Sequence, residues 1–408
     1  MLNDTAIRRP SIVWRNADAI QNDQVSAAYC WSVVAMQALV WGFFFDTGAL
    51  IAITDRVEPL CWPYFQNCWR FRVGEQALSY LTLIGLAGVS LAVIALEQRR
   101  VRLFWIVLVA LNVMLVCIVS MDYRLRSNEF YMLLWINAVF LFWPAKRWSI
   151  PLVLVSFYFW AGTLKLNREW LSGAVLYHDL FIIPTRYAWL ACSYVVVLEL
   201  VQVWALLSTR LWLRLSVLGQ LALFHWESLS QIHWFYPALM TAMLSWFVIE
   251  KVVAGSPTAN SRQLLRFVGP KSAYALLGIF ALCQLVPYLY PGDKALTGQG
   301  RLFALHMFEA RQECDVSATI HRTFGPDTTI DLKMYGFPPR TICDPVVYFD
   351  RAQNMCRGRS EDPTLGDLDL RMNAKRATDS SLTLVIDAPH FCSSAYTFNL
   401  VRGNDWMK

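Results

Sequence analysis

Apolar residues run along most of this chain in blocks of about the length that spans a hydrocarbon core. The blocks fall near residues 27–48, 77–96, 103–121, 130–145, 148–165, 187–208, 214–226, 234–250 and 272–290, nine in all, with 130–145 and 214–226 the weakest. After Pro291-Gly292 the pattern changes. Residues 292–408 are polar and alternate with a period of two, as in Ile330-Asp331-Leu332-Lys333-Met334 and Leu382-Thr383-Leu384-Val385-Ile386. Such alternation predicts half-buried strands, and Gly325-Pro326-Asp327 and Gly336-Phe337-Pro338-Pro339 predict turns between them. The expectation is a polytopic α-helical membrane protein of about nine transmembrane helices, with a small C-terminal extracytoplasmic β-sandwich-like domain. Its parts are a cytoplasmic N-terminal segment 1–24, a helical domain 25–290 and a β-rich domain 291–408. Residues 1–24 are polar, with Arg8, Arg9 and Arg15, and carry no apolar core of a cleavable signal peptide. Residues 255–262, Gly-Ser-Pro-Thr-Ala-Asn-Ser-Arg, read as a flexible cytoplasmic loop.

Composition agrees with the pattern. Of the 408 residues 56% are hydrophobic and only 16% are charged, against about a quarter charged in a soluble domain. Lys and Arg favour one set of loops: Arg99, Arg100 and Arg102, then Lys146 and Arg147, Arg210 and Arg214, and Lys251, Arg262, Arg266 and Lys271. By the positive-inside bias the N-terminus is expected in the cytoplasm and the C-terminal domain outside, in a bacterial inner or cell membrane. The net charge of +6 is accounted for by these loops and tracks no phosphate backbone, so nucleic-acid binding is set aside.

Ten cysteines divide by position. Cys30, Cys117, Cys192 and Cys283 fall in membrane segments and read as small core residues. Cys61, Cys68, Cys314, Cys343, Cys356 and Cys392 fall on the expected oxidising side, an even number available for disulfides of open pairing. No pair has the Cys-x-x-Cys spacing of a metal site, so no metal is expected.

The chemistry-bearing residues gather toward one end of the predicted helices. Lys165 closes the fifth block, in Phe157-Tyr-Phe-Trp-Ala-Gly-Thr-Leu-Lys165-Leu-Asn-Arg-Glu-Trp170. Asn128 and Glu129 open the fourth, His225 closes the seventh, and Gln231 and His233 lie in the following link. Residues 166–186, with Trp170 and His178, are too apolar for a simple wet loop, and read as lying in the interface or folding back into the bundle. Glu199, inside the sixth block, needs a partner or a proton. Ionisable groups at membrane positions are expensive and point to function. A lysine desolvated in an apolar pocket holds its proton less tightly and can serve as a base. The bland alternative is a lysine that snorkels to the headgroups, with His225 an interface residue. A transporter is disfavoured, because such proteins place polar residues at mid-membrane on several helices.

Ala161-Gly162-Thr163-Leu164-Lys165-Leu166, followed by Trp170-Leu171-Ser172-Gly173-Ala174, resembles a signature of the vitamin K-dependent gamma-carboxylase family and its bacterial relatives, the horizontally transferred transmembrane domain proteins. Ser127-Asn128-Glu129-Phe130-Tyr131, Phe224-His225-Trp226 through Gln231, and Gly300-Arg301-Leu302-Phe303-Ala304-Leu305-His306-Met307 are similar to further family stretches in the same order. The resemblance covers about residues 25–315. It implies a lyase-type, quinol-dependent enzyme with a reduced vitamin K-type quinone as cofactor and a secreted peptide or protein, or a small molecule, as substrate. Lys165 would be the base that deprotonates the quinol, and Asn128 an orienting group. His225 and Glu129 join them as catalytic candidates, and Glu199, Trp170 and Gln231 as cofactor-binding candidates. Glu129 stands where the family has histidine. An ionised glutamate cannot donate a hydrogen bond to an oxyanion, so deprotonation is implied more directly than carboxylation, and a Glu129–Lys165 pair is a further expectation. Leu305 and His306 replace a family Trp and Arg. The alternative from another class is a non-catalytic membrane partner for maturation of, or immunity to, a secreted peptide.

Overall fold

The computed structural model describes residues 12–254, 270–305, 311–333, 339–360 and 362–408. The stretch 255–262, His306 and Met307, and Gly336-Phe337-Pro338 lie outside them.

Each of the nine apolar blocks is helical. They are α2 (Gln24–Thr47), α3 (Glu75–Glu97), α4 (Val101–Met121), α5 (Asn128–Phe142), α6 (Lys146–Leu164), α8 (Ala188–Leu200, continued as a 3-10 turn to Leu207), α9 (Leu211–Ser228), α10 (Phe235–Ala254) and α11 (Lys271–Leu285). Six helices are long and apolar enough to cross a membrane: α2, α3, α4, the Thr185–Leu207 stretch around α8, α10, and α11 with its extension to Leu289. The other three depart from that description. α5 has 15 residues, and α6 and α9 carry Lys146, Arg147 and Arg214 near their starts. Buried Arg214 is neutralised by Glu250 of α10 at 2.8 Å. Small residues bring helices together: a Cβ at Gly85 of α3 would fall 2.1 Å from the Trp41 ring of α2.

The polar N-terminal segment holds a helix that its composition did not announce. α1 (Ile12–Asn22) lays Ala17 and Ile20 into the bundle end, sets Trp14 edge-on against Trp105, and pairs Asp18 with Arg102 at 3.0 Å. Its followers do the same work: Asp23 caps α2 and holds Arg147 at 2.6 Å.

At the other end sits the C-terminal part. It is one four-stranded antiparallel sheet in the order β2-β1-β3-β4, made of β1 (Gln312–Arg322), β2 (Thr328–Asp331), β3 (Leu365–Arg376) and β4 (Thr383–Ala388). The expected second sheet of a sandwich is replaced by the helix Pro345–Arg357, whose Val346, Val347 and Phe349 share a core with Val316, Ala318, Leu370 and Met372. A single sheet with one apolar face needs only one amphipathic partner to cover it. The other face carries the alternate, polar positions of β1 and β3. Six cysteines form three disulfides, Cys61–Cys68, Cys314–Cys343 and Cys356–Cys392, while Cys30, Cys117, Cys192 and Cys283 are free thiols.

The sheet unit is fastened to the bundle by buried acids. Asp344 accepts from Tyr123 at 2.8 Å and faces Arg126 and Arg301, each at 3.3 Å. Asp350 accepts the Cys61 amide at 3.1 Å. Glu169 of α7 (Arg168–Ser172) accepts Thr378 at 2.6 Å and Arg376 at 3.2 Å. The segment 300–305 wedges into the bundle mouth, where Gln284 accepts the Leu305 amide at 2.8 Å. Gly300 stands with φ +75° and its missing Cβ would lie 2.8 Å from Pro287, so a side chain there meets backbone.

Burial pushes the Asp350 carboxyl up from 3.8 to about 7, with Asp122 and Glu58 adding to it and the Cys61 amide and Arg357 opposing. Between those values the folded chain holds a proton that the unfolded chain has lost. The contribution is therefore complete below 3.8 and disappears as pH rises through 7. We predict that thermal unfolding of wild type, compared with Asp350→Asn, shows a stability advantage of wild type at pH 5 that shrinks toward pH 8. A difference independent of pH, or one growing toward pH 8, contradicts the assignment.

Candidate functional site

The site grows from the end of α6. Lys165 caps that helix, and its side chain turns back into the bundle, fully buried, rather than outward to headgroups. Its ammonium donates to both carboxylate oxygens of Glu199, at 2.6 and 2.5 Å. The partner is thus Glu199 and not the expected Glu129. Gly162 eases this: a Cβ there would come to 3.0 Å from Glu199 Cβ and Leu200, tighter than ordinary contact, so the bare glycine lets α8 lie close to α6. The motif's glycine and lysine, three residues apart, therefore act together.

Two rings close over the ammonium. Trp170 lies 5.0 Å and Phe224 5.5 Å from it, ring centroid to Nζ. Asn167 caps α7 by accepting the Trp170 amide at 2.8 Å, Gly173 ends it in a left-handed conformation, and the indole donates to the Cys192 carbonyl at 2.7 Å. Next to Phe224, buried His225 bonds the Tyr158 hydroxyl through Nε2 at 2.7 Å. Its Nδ1 is buried without a hydrogen-bond partner among the described residues.

Trp170 and Phe224 also form part of the wall of an apolar cavity of about 220 Å³, completed by Leu198, Leu223, Ile183 and Tyr236. Its roof is the 174–184 loop, which folds back over the helices, one of the two placements its apolar content left open. α9 and the link after it latch this loop by its backbone. Glu227 accepts the amides of Phe181 and Ile182 at 2.9 and 3.0 Å, and Gln231 accepts those of Tyr177 and His178 at 2.9 and 3.2 Å while donating to the His178 carbonyl at 2.5 Å. Glu227 stands with His225 at the end of the seventh apolar block, where the sequence already gathers polar residues, but its role as a latch depends on a loop distant in sequence.

The remaining candidates are not brought to Lys165. Asn128 and Glu129, at the start of α5, line a separate chamber of about 730 Å³ between the bundle and the sheet unit, with Arg124, Arg126, Arg301 and His178. Gln231 and Ile232 belong to the walls of both cavities. The expected single cluster is therefore two adjoining ones: a dry ion pair behind an apolar slot, and a wider polar chamber beside it.

Comparison with protein-family models, with curated proteins and with solved structures finds no match to this chain.

A buried pair that loses one member leaves an uncompensated charge, a loss of about 3–5 kcal/mol, whereas apolar replacement of both is often neutral or better. Lys165→Met and Glu199→Leu should each lower the unfolding temperature in detergent markedly, and the double variant should recover most of the loss. Additive single effects would mean that the two side chains are not coupled.

Proposed function

We propose that this protein is a quinol-linked membrane enzyme, carboxylase-like in its base and altered in its later chemistry. One observation carries the reading: the two rings that sandwich the Lys165 ammonium also wall the apolar cavity. A planar aromatic head with an isoprenoid tail fits such a slot, because the lining is apolar and aromatic with few polar groups, Gln220, Glu227, Ser228 and Gln231 among them. A reduced vitamin K-type quinone, when bound, supplies two electrons and an acidic hydroxyl. Trp170 and Phe224 keep water from the amine. Passing a proton from Lys165 Nζ to Glu199 leaves a neutral amine able to take one from a hydroxyl, and the ion pair is restored when Glu199 then releases its own proton to solvent. His225 Nδ1, buried and unpartnered, is a further group that a polar ligand atom would satisfy. The neighbouring chamber, with Arg124, Arg126, Arg301, Asn128 and Glu129 in its walls, is suited to a second, anionic substrate such as a peptide carboxylate.

The second reading is a non-catalytic maturation or immunity partner for a secreted peptide. The closed Lys165–Glu199 pair favours it, since an ion pair sealed from water also serves simply to join α6 to α8. The two readings separate in one experiment. Purified protein is extracted for lipid quinones and assayed for quinol oxidation, alongside Lys165→Ala and Ala191→Trp, the latter filling the slot. The enzyme reading expects bound quinone in wild type and Lys165→Ala, its loss in Ala191→Trp, and turnover only in wild type, reduced at least a hundredfold in Lys165→Ala. Absence of both binding and oxidation in well-folded wild type would remove it. Cellular function that survives Lys165→Met but not deletion of the sheet unit would establish the second.

A further inference from the structure

On the polar face of the sheet, at a distance from the proposed quinol site, His321 of β1, Asp369 of β3 and His390 just after β4 each bring one ligand-type atom within 4.8 Å of the others. We propose that these three side chains form a binding site for a first-row divalent cation of the Zn²⁺ class. Two imidazoles and a carboxylate are the donor set that such borderline ions take, and three protein ligands leave a further position for water or a substrate atom. Ligand atoms on a tetrahedral zinc stand roughly 3.3 Å apart, so modest rotation of partly exposed side chains closes the set.

The surroundings are those of a built site rather than a chance cluster. His321 Nδ1 faces Asp327 Oδ2 at 2.9 Å, and His390 Nδ1 lies 3.7 Å from Asp367 Oδ2. A carboxylate behind the far nitrogen of a ligating histidine fixes its tautomer and ring direction. His321 Nε2 comes to 3.0 Å from Asp369 Oδ2, close to the separation of two ligand atoms that share a cation. Asp369 is oriented by its other oxygen, which accepts the His390 amide at 2.7 Å, and Asp367 accepts the Cys392 amide at 3.0 Å. His390 itself stands in the left-handed region, φ +51°. A non-glycine residue held there is uncommon and is stabilised only by surrounding structure, here including the neighbouring Cys356–Cys392 disulfide. A cation at this point ties β1, β3 and the turn after β4 together on the solvent side of the sheet, opposite the apolar core.

The test uses the full chain in detergent, without a polyhistidine tag and stripped with chelator. Zn²⁺ titration by calorimetry should show one ion per chain, undisturbed by Mg²⁺ or Ca²⁺, and weakened at least tenfold by His390→Gln or Asp369→Asn. Asp327→Asn, which touches only the supporting carboxylate, should weaken binding by roughly 10–100-fold. A readout that needs no variant is the visible spectrum with Co²⁺ in place of Zn²⁺, expected to show the bands of a low-coordinate nitrogen and oxygen site without thiolate charge transfer. No saturable binding, or affinity and Co²⁺ spectrum unchanged in folded His390→Gln and Asp369→Asn, overturns the site and leaves His321 as a charge clamp between Asp327 and Asp369.

Discussion

An ammonium group and a carboxylate shut away together inside a helical bundle are the constraint on which this structure turns. Both charges are buried, and each is stabilised by hydrogen bonds with the other, two of them from one amine. The pairing dictates its neighbourhood. Bare Gly162 lets α8 lie close to α6, α7 brings Trp170 to the amine, and α9 brings Phe224 to it. The same residues that hide the pair from water give the apolar cavity part of its wall, so the packing that makes the charges tolerable also sets them beside that cavity.

α7 links this interior to the sheet unit. Its Trp170 faces the ammonium, and the residue before it, Glu169, holds Thr378 and Arg376 of the C-terminal part. Asp344 and Asp350 make comparable attachments to the loops near Tyr123 and Cys61. Buried acids therefore fix the sheet unit over the mouth of the bundle, and the wide chamber with Asn128 and Glu129 is enclosed between them. Such contacts give a defined orientation that apolar packing alone leaves loose. In the proposed enzyme, the sheet unit would be both the cover of the polar chamber and a part that feels any shift of α7.

Much of the architecture was legible as pattern. Length and apolarity marked all nine helical blocks, six of them long and apolar enough to cross a membrane, because a segment that sits in lipid must carry that composition whatever its neighbours are. Period-two alternation at 330–334 and 382–386 marked β2 and β4 within a few residues, while β1 and β3 were covered only by the general β-rich reading of 291–408, and the division of the cysteines followed from where the apolar blocks ended. The α1 helix escaped, since Trp14, Ala17 and Ile20 are too sparse a stripe among polar residues to announce a buried face. The sandwich was overcalled, because alternation reports one covered face and is silent on whether a sheet or a helix covers it.

What the sequence by itself determined is the membrane-type bundle, the polar sheet unit after it, and Lys165 as an ionisable group closing an apolar block, where charge is costly. Only the tertiary structure decided that the lysine's partner is Glu199 rather than Glu129, that Asn128 belongs to a second chamber, which cysteines join, and that His321, Asp369 and His390 meet. The reason is that solvent acts on each residue alone and so leaves its mark locally, whereas ion pairs, disulfides and ligand sets depend on distances between segments far apart in the chain, which helix packing and strand register set.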